Sequence, residues 1–224
     1  MVMQNMSHIY MKEWTWKNIS NTVITFFLTP LVFLISYIYL SDDIFNKTNY
    51  FISSTGYLAL IYLTVVLFIP LLKFKSVLLN ARSIGLASFY FSLLHFLIYI
   101  IDNNIDLTIL ADDFIYRNYI LSGYIALLLF IPMYLTSFNF IKEKIPNWKK
   151  IHKIIYIIYL VSLLHIYFII KADYLYLFTF IMIFLLIITF KLFLNKKIWT
   201  EENFYKWWQQ HILLAFPINH RQRI

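Results

Sequence analysis

Residues 152–165 read HKIIYIIYLVSLLH: one histidine stands just before, and a second within, a run carrying no formal charge from Ile154 to Ile170. A run of that length reaches the lower limit for crossing a hydrocarbon layer of about 30 Å as a helix. An imidazole in such a run needs a reason, because polar groups left toward lipid cost a few kcal/mol and usually turn inward to a site. One other apolar run holds a histidine, His95 in FYFSLLHFLIY. The reading of the chain grows from these two crossings.

Composition agrees. The 224 residues are 61% hydrophobic and 13% charged, with three glycines and a mean hydropathy of +0.70. That is the balance of a membrane protein. Six spans are predicted, near 21–41, 53–72, 83–101, 118–140, 154–170 and 174–190, with Pro30 expected as a tolerated kink in the first. The expected fold is all-α, an integral membrane six-helix bundle. It divides into an N-terminal tail over 1–20, a six-span domain over 21–195 and a tail over 196–224. About twenty mostly polar residues precede the first apolar run with no small-residue cleavage site after it, so that span is expected to be retained.

Positive charge sets the orientation. With the N-terminus in the cytoplasm, only Lys47, Arg117 and Lys171 of the 19 lysines and arginines fall outside. Both termini are therefore predicted to be cytoplasmic, and an acidic outer loop holds Asp102, Asp106, Asp112 and Asp113. The net charge of +8 sits beside apolar runs, which favours lipid headgroups as its partner over nucleic acid. In the last tail, Phe204, Trp207, Trp208, His211, Ile212 and Ala215 recur at helical spacing, the pattern of an interfacial helix or a partner-docking one.

Cysteine is absent, which removes disulfides, iron–sulfur clusters and thiolate ligands. The loop acids have no His or Cys partners of the kind a transition metal takes. No phosphate loop, nucleophile motif or nicotinamide fingerprint occurs. Depth is the positive signal. His95 lies roughly 18 Å along its helix from Ser83, and His165 about 20 Å beyond His152, at the helical rise per residue. Two parallel spans thus bring an imidazole to the same level, and a haem iron gripped between them accounts for both. Ala81, Gly85, Ser88, Ser92, His95 and Tyr99 form a stripe of small or polar residues that would clear space for a flat macrocycle; a plain small-residue helix contact is the other reading.

His152 lies on a different helical face from His165 and beside Lys149, Lys150 and Lys153. It reads either as an interfacial histidine or as a ligand of a second cofactor. Its counterpart on the third span is Arg82, a poor iron ligand but a good partner for a propionate or a flavin phosphate. His8, His211 and His220 lie in the tails and read as surface residues.

These same residues carry a resemblance. Thr55-Gly56 opens span two, and Arg82-Ser-Ile-Gly85-Leu, His95 and Tyr99 mark span three. Tyr116-Arg117-Asn-Tyr119, Gly123 and Leu135-Thr136-Ser137 bound span four, and Trp148-Lys-Lys-Ile-His152 and Leu164-His165 mark span five. In this order, over about residues 20–195, the chain resembles the ferric reductase-like transmembrane family, and within it the haem-binding membrane subunits of bacterial methionine sulfoxide reductase systems. The resemblance implies haem b, one or two per chain, held by His95, His165 and His152, with FMN as a further cofactor. Arg82 stands where related oxidases carry a second third-span histidine. It also implies a bacterial inner-membrane location and a cytoplasmic flavin reductase or the quinone pool as electron donor. A periplasmic, MsrP-like molybdopterin subunit would be the acceptor, repairing oxidised envelope proteins, with the chain as its electron-transfer subunit. A ferric reductase or oxidase subunit, or a non-redox membrane scaffold, are the rival expectations.

Overall fold

The structure is a computed structural model that describes residues 21, 23–71, 75–171 and 174–211, with side chains described over 21, 24–71, 81–171 and 174–193. Every regular element among them is a helix. They are α1 (Thr29–Leu40), α2 (Lys47–Phe68), α3 (Lys75–Asp102), α4 (Leu107–Tyr116) and α5 (Asn118–Leu135), then the short α6 (Asn139–Lys142) and α7 (Trp148–Ile151), then α8 (Ile155–Ile169) and α9 (Leu175–His211). Five stretches are long and apolar enough to cross a membrane: Lys47–Leu71, Ala81–Asp102, Asn118–Leu135, Trp148–Ile169 and Leu175–Phe193; a shorter apolar helix covers Ile24–Leu40. The chain is thus an all-α, multi-pass membrane protein. It divides into two compact units, 1–181 and 182–224.

In the first unit, α2 packs most closely on α3 and α5 on α8, while contacts between α3 and α5 and between α2 and α8 are sparser. The two tight pairs therefore leave space between them. Ser88 Oγ donates to the Ala59 carbonyl at 2.7 Å, pinning α3 to α2. Tyr159, fully buried on α8, shares a 3.1 Å hydrogen bond with Thr64 Oγ1 on α2 and donates to the Phe180 carbonyl. A buried hydroxyl must find such partners, because an unpaired one costs on the order of 1–3 kcal/mol.

Several local expectations are corrected. The first apolar segment begins as a π-helical stretch, Val23–Leu28, and becomes α-helical at Thr29. Pro30 lies two residues past this π-to-α change, inside the apolar helix Ile24–Leu40, so the irregular turns stand just before it. Thr29 Oγ1 donates to the Ile24 carbonyl at 2.9 Å across this junction. Span four, predicted to reach 140, ends at Leu135, where the Thr136 N–H and Oγ1 both turn back onto the Pro132 carbonyl.

The acidic loop after α3 contains α4. Its cap is Asp106, whose carboxylate accepts from the Thr108 and Ile109 N–H groups and from Thr108 Oγ1. Between α3 and α4 the chain reverses through Asn104 and Ile105, both at positive φ (53° and 59°). The Ile105 N–H reaches the Ile100 carbonyl, which closes the end of α3.

The backbone of α9 is continuous through the expected boundary at 195. The expected N-terminal tail, Asp173, the last tail beyond 211 and the histidines His8 and His220 lie outside the described residues, as do the side chains of the aromatic pattern over 204–211.

Candidate functional site

The sparse junction between the two helix pairs holds a cavity of about 640 Å³, within the range of roughly 300–1,000 Å³ that cofactor pockets occupy. His95 on α3 and His165 on α8 both line it. Their ring centroids are 6.0 Å apart and the ring planes nearly perpendicular, at 88°.

The same local construction holds each ring. His95 Nδ1 is 2.8 Å from the Ile52 carbonyl, and His165 Nδ1 bonds the Tyr119 carbonyl. A carbonyl oxygen only accepts, so Nδ1 carries the proton in both rings and Nε2 keeps its lone pair. Three residues after each carbonyl a hydroxyl donates to that same oxygen: Thr55 Oγ1 to Ile52 at 2.8 Å, Ser122 Oγ to Tyr119 at 2.8 Å. One residue further each segment has a glycine, Gly56 or Gly123, against which the ring lies. A β-carbon at Gly56 would be 3.1 Å from His95 Nδ1, and one at Gly123 would be 3.0 Å from His165 Cε1. The segments Ile52-Ser-Ser-Thr-Gly56 and Tyr119-Ile-Leu-Ser-Gly123 are thus two copies of one histidine cradle on two helices.

The donor set suits a macrocycle better than a bare ion. Among the described residues no cluster of three or more His, Cys, Asp or Glu could hold a metal ion. Two neutral imidazoles could supply two nitrogen ligands, which would suit a group that brings the rest of its own. The hydrogen-bonded Nδ1–H is the outer contact that fixes tautomer and orientation in metal-binding histidines.

The cavity is polarised along its length. Leu60, Leu63, Ala126, Leu127 and Phe130 line its inner part, whereas Asn49, Asp102, Asn103, Arg117, Tyr119 and Lys171 line the end formed by the N-termini of α2 and α5 and the C-termini of α3 and α8. Asp113, 4% exposed, anchors that end. It accepts from the Tyr99 hydroxyl at 2.7 Å and pairs with Arg117 at 3.0 Å. Arg117, the single residue between α4 and α5, also donates to the Tyr119 hydroxyl at 3.1 Å.

The small-residue stripe divides. Gly85 and Ser88 belong to the contact with α2, near Val66 and Ala59, as a small-residue helix contact would. Ser92, His95 and Tyr99 line the cavity.

Arg82 and His152 do not line the cavity; they lie toward the opposite end of the helices. Arg82 Nη2 donates to Asn139 Oδ1 at 3.1 Å. His152, in a tight 3-10 turn before α8, is 3.1 Å from Thr136 Oγ1 through Nε2 and meets the Trp148 ring edge-on at 5.5 Å. Lys142 Nζ lies 3.8 Å from the centre of the Trp148 ring. Burial, then the charges of Arg82 and Lys149, lower the Lys142 ammonium below the ordinary lysine range, against a smaller opposing effect of Glu143.

Comparison places the chain. The family model of the ferric reductase-like transmembrane component matches residues 21–163. The heme-binding subunit MsrQ of protein-methionine-sulfoxide reductase from Agrobacterium fabrum is 35% identical over 54% of this chain and 59% of its own length. The subunits of the same name from Brucella ovis and Brucella canis are 36% identical over 38% of this chain and 39% of theirs. The chain therefore spans about half the length of the curated relatives it matches. No solved structure matches it.

Proposed function

The chain belongs to the ferric reductase-like transmembrane component family, and from that premise we propose that it is a b-type haem electron-transfer subunit serving a methionine sulfoxide reductase. The observation that carries the reading is the pair of neighbouring histidines, 6.0 Å apart at their ring centres, each fixed by a backbone carbonyl through Nδ1 and each left with a basic Nε2. His95 and His165 are the proposed axial ligands. A haem held there supplies a one-electron carrier whose potential answers to axial ligation and burial.

The residues of the chain do the rest. Gly56 and Gly123 admit the rings, and the Ile52 and Tyr119 carbonyls hold them. The apolar inner lining keeps water from the site. The surplus of lysine and arginine beside the other end of the spans favours that end as cytoplasmic. The proposed direction is accordingly from a cytoplasmic flavin reductase or the quinone pool outward, across a bacterial inner membrane, to a periplasmic MsrP-like molybdopterin subunit. Arg82 and Lys142, with the His152 ring beside them, form a cationic group suited to a phosphate, and FMN is the cofactor we assign to it. On this reading His152 has no part in the His95–His165 pair.

Sealed vesicles of purified protein test the direction. With a reductant inside, the reading expects reduction of methionine sulfoxide outside when the molybdopterin subunit is added, and none with His165→Ala. Equal reduction of external ferric chelate without that subunit would favour a ferric reductase.

A further inference from the structure

The polar end of the cavity has a charge pattern that the histidine pair leaves unexplained. Two cations, Arg117 and Lys171, and one acid, Asp102, line the end of an otherwise largely apolar chamber. Arg117 is held in place: Asp113 takes its Nε and Nη1, Tyr119 also takes Nη1, and no hydrogen bond of Nη2 is found among the described residues. Lys171, at the C-terminal end of α8 and six residues beyond His165, makes no hydrogen bond or ion pair among the described residues. A preorganised guanidinium edge just before α5 and an ammonium just after α8, at the wet end of an apolar chamber, form a receptor for a carboxylate edge.

Resting on the haem reading above, we propose that Arg117 and Lys171 bind the propionate carboxylates and so fix which edge of the porphyrin points out of the membrane. The macrocycle has one apolar edge and one bearing two carboxylates, and the chamber has one apolar end and one cationic end. Inserting it the other way would bury the carboxylates against Leu63 and Phe130, a desolvation that no cation among the described lining residues there offsets. Asp102 opposes the carboxylates and sets a limit on how tightly they are held. Arg117 also connects this edge to the His165 cradle, since Tyr119 contributes its hydroxyl to Arg117 and its carbonyl to His165.

The test is release of porphyrin to a scavenging apoprotein, followed by absorbance, from protein produced without haem and loaded with ferric protoporphyrin IX or with its dimethyl ester. Lys171→Gln should release protoporphyrin about three- to fivefold faster, the effect of one partly exposed ion pair. Arg117→Lys, which keeps the charge beside Asp113 but loses the fork, should also speed it, and Asp102→Asn should slow it. With the ester, wild type itself should release faster, Lys171→Gln and Asp102→Asn should change nothing, and Arg117→Lys should lose most of its effect. The same ratios with ester as with acid, or wild-type rates in all three variants, would overturn the carboxylate assignment while leaving the histidine pair intact. If wild type takes up neither porphyrin in a low-spin form lost in His95→Ala, the haem reading itself fails and this inference with it.

Discussion

Gly123 and His165 are in contact so close that a β-carbon on the glycine would stand 3.0 Å from Cε1 and 3.1 Å from Nδ1 of the ring. Alanine there, or at Gly56 against His95, must shift the imidazole by a few tenths of an ångström against its carbonyl. Helix propensity alone favours Ala over Gly by about 0.5–1 kcal/mol, so the helices themselves lose nothing. The expected outcome is retained helicity by circular dichroism with a reduced low-spin haem fraction in Gly56→Ala and Gly123→Ala. A full low-spin signal in both would mean that the rings do not use these cradles.

The hydroxyls of Thr55 and Ser122 share a carbonyl with the histidines. Removing one leaves that oxygen a better acceptor for Nδ1–H, which makes the opposite nitrogen more basic and favours the ferric state. Ser122→Ala and Thr55→Val should therefore lower the midpoint potential in a redox titration, with the absorbance spectrum otherwise unchanged. A raised potential would contradict the tautomer assigned to the rings.

Asp113 is the most buried carboxylate described, and Tyr99 and Arg117 satisfy it from two sides. Tyr99→Phe removes one of these donors and should cost about 1–2 kcal/mol, read as a lower thermal midpoint in detergent. Asp113→Ala should cost more, because Arg117 loses its ion pair and α4 its tie to α3.

The Asp106 cap makes α4 sensitive to acid. The Thr108 hydroxyl, then the Thr108 and Ile109 amides, hold its carboxyl below the ordinary value of 3.8. A depressed carboxylate gives stability that is fully present above the unfolded value and lost as pH falls through the folded one, so protection of α4 should fade below about pH 4. Hydrogen exchange at the Leu110 amide, which bonds the Asp106 carbonyl, reads this. Asp106→Asn should keep the cap and abolish that pH dependence.

The spans and the meeting of His95 with His165 were legible because a 1.5 Å rise and charge-free run lengths are nearly all that fixes depth in a membrane helix. The cradles were not read as such, although Thr55-Gly56 and Gly123 stand out in a chain with three glycines. A hydroxyl followed by a glycine on two separate spans was the signal, but its meaning depends on which helices pair, and spacing within one span does not tell. Asp113 was hidden among four loop acids because its burial comes from α4, a helix whose apolar pattern over ten residues is short beside the spans. The roles of His152 and Arg82 stayed open for a similar reason: the partners Thr136 and Asn139 lie beyond the end of α5, where sequence periodicity stops carrying information.

The most direct measurement of the central claim is the absorbance and paramagnetic resonance spectrum of the purified ferric protein, with iron counted per chain, in wild type, His95→Ala, His165→Ala and His152→Ala. The account predicts a low-spin b-type haem in wild type and in His152→Ala, and loss of haem or conversion to high spin in each of the other two. A wild-type low-spin spectrum that survives both His95→Ala and His165→Ala would contradict it.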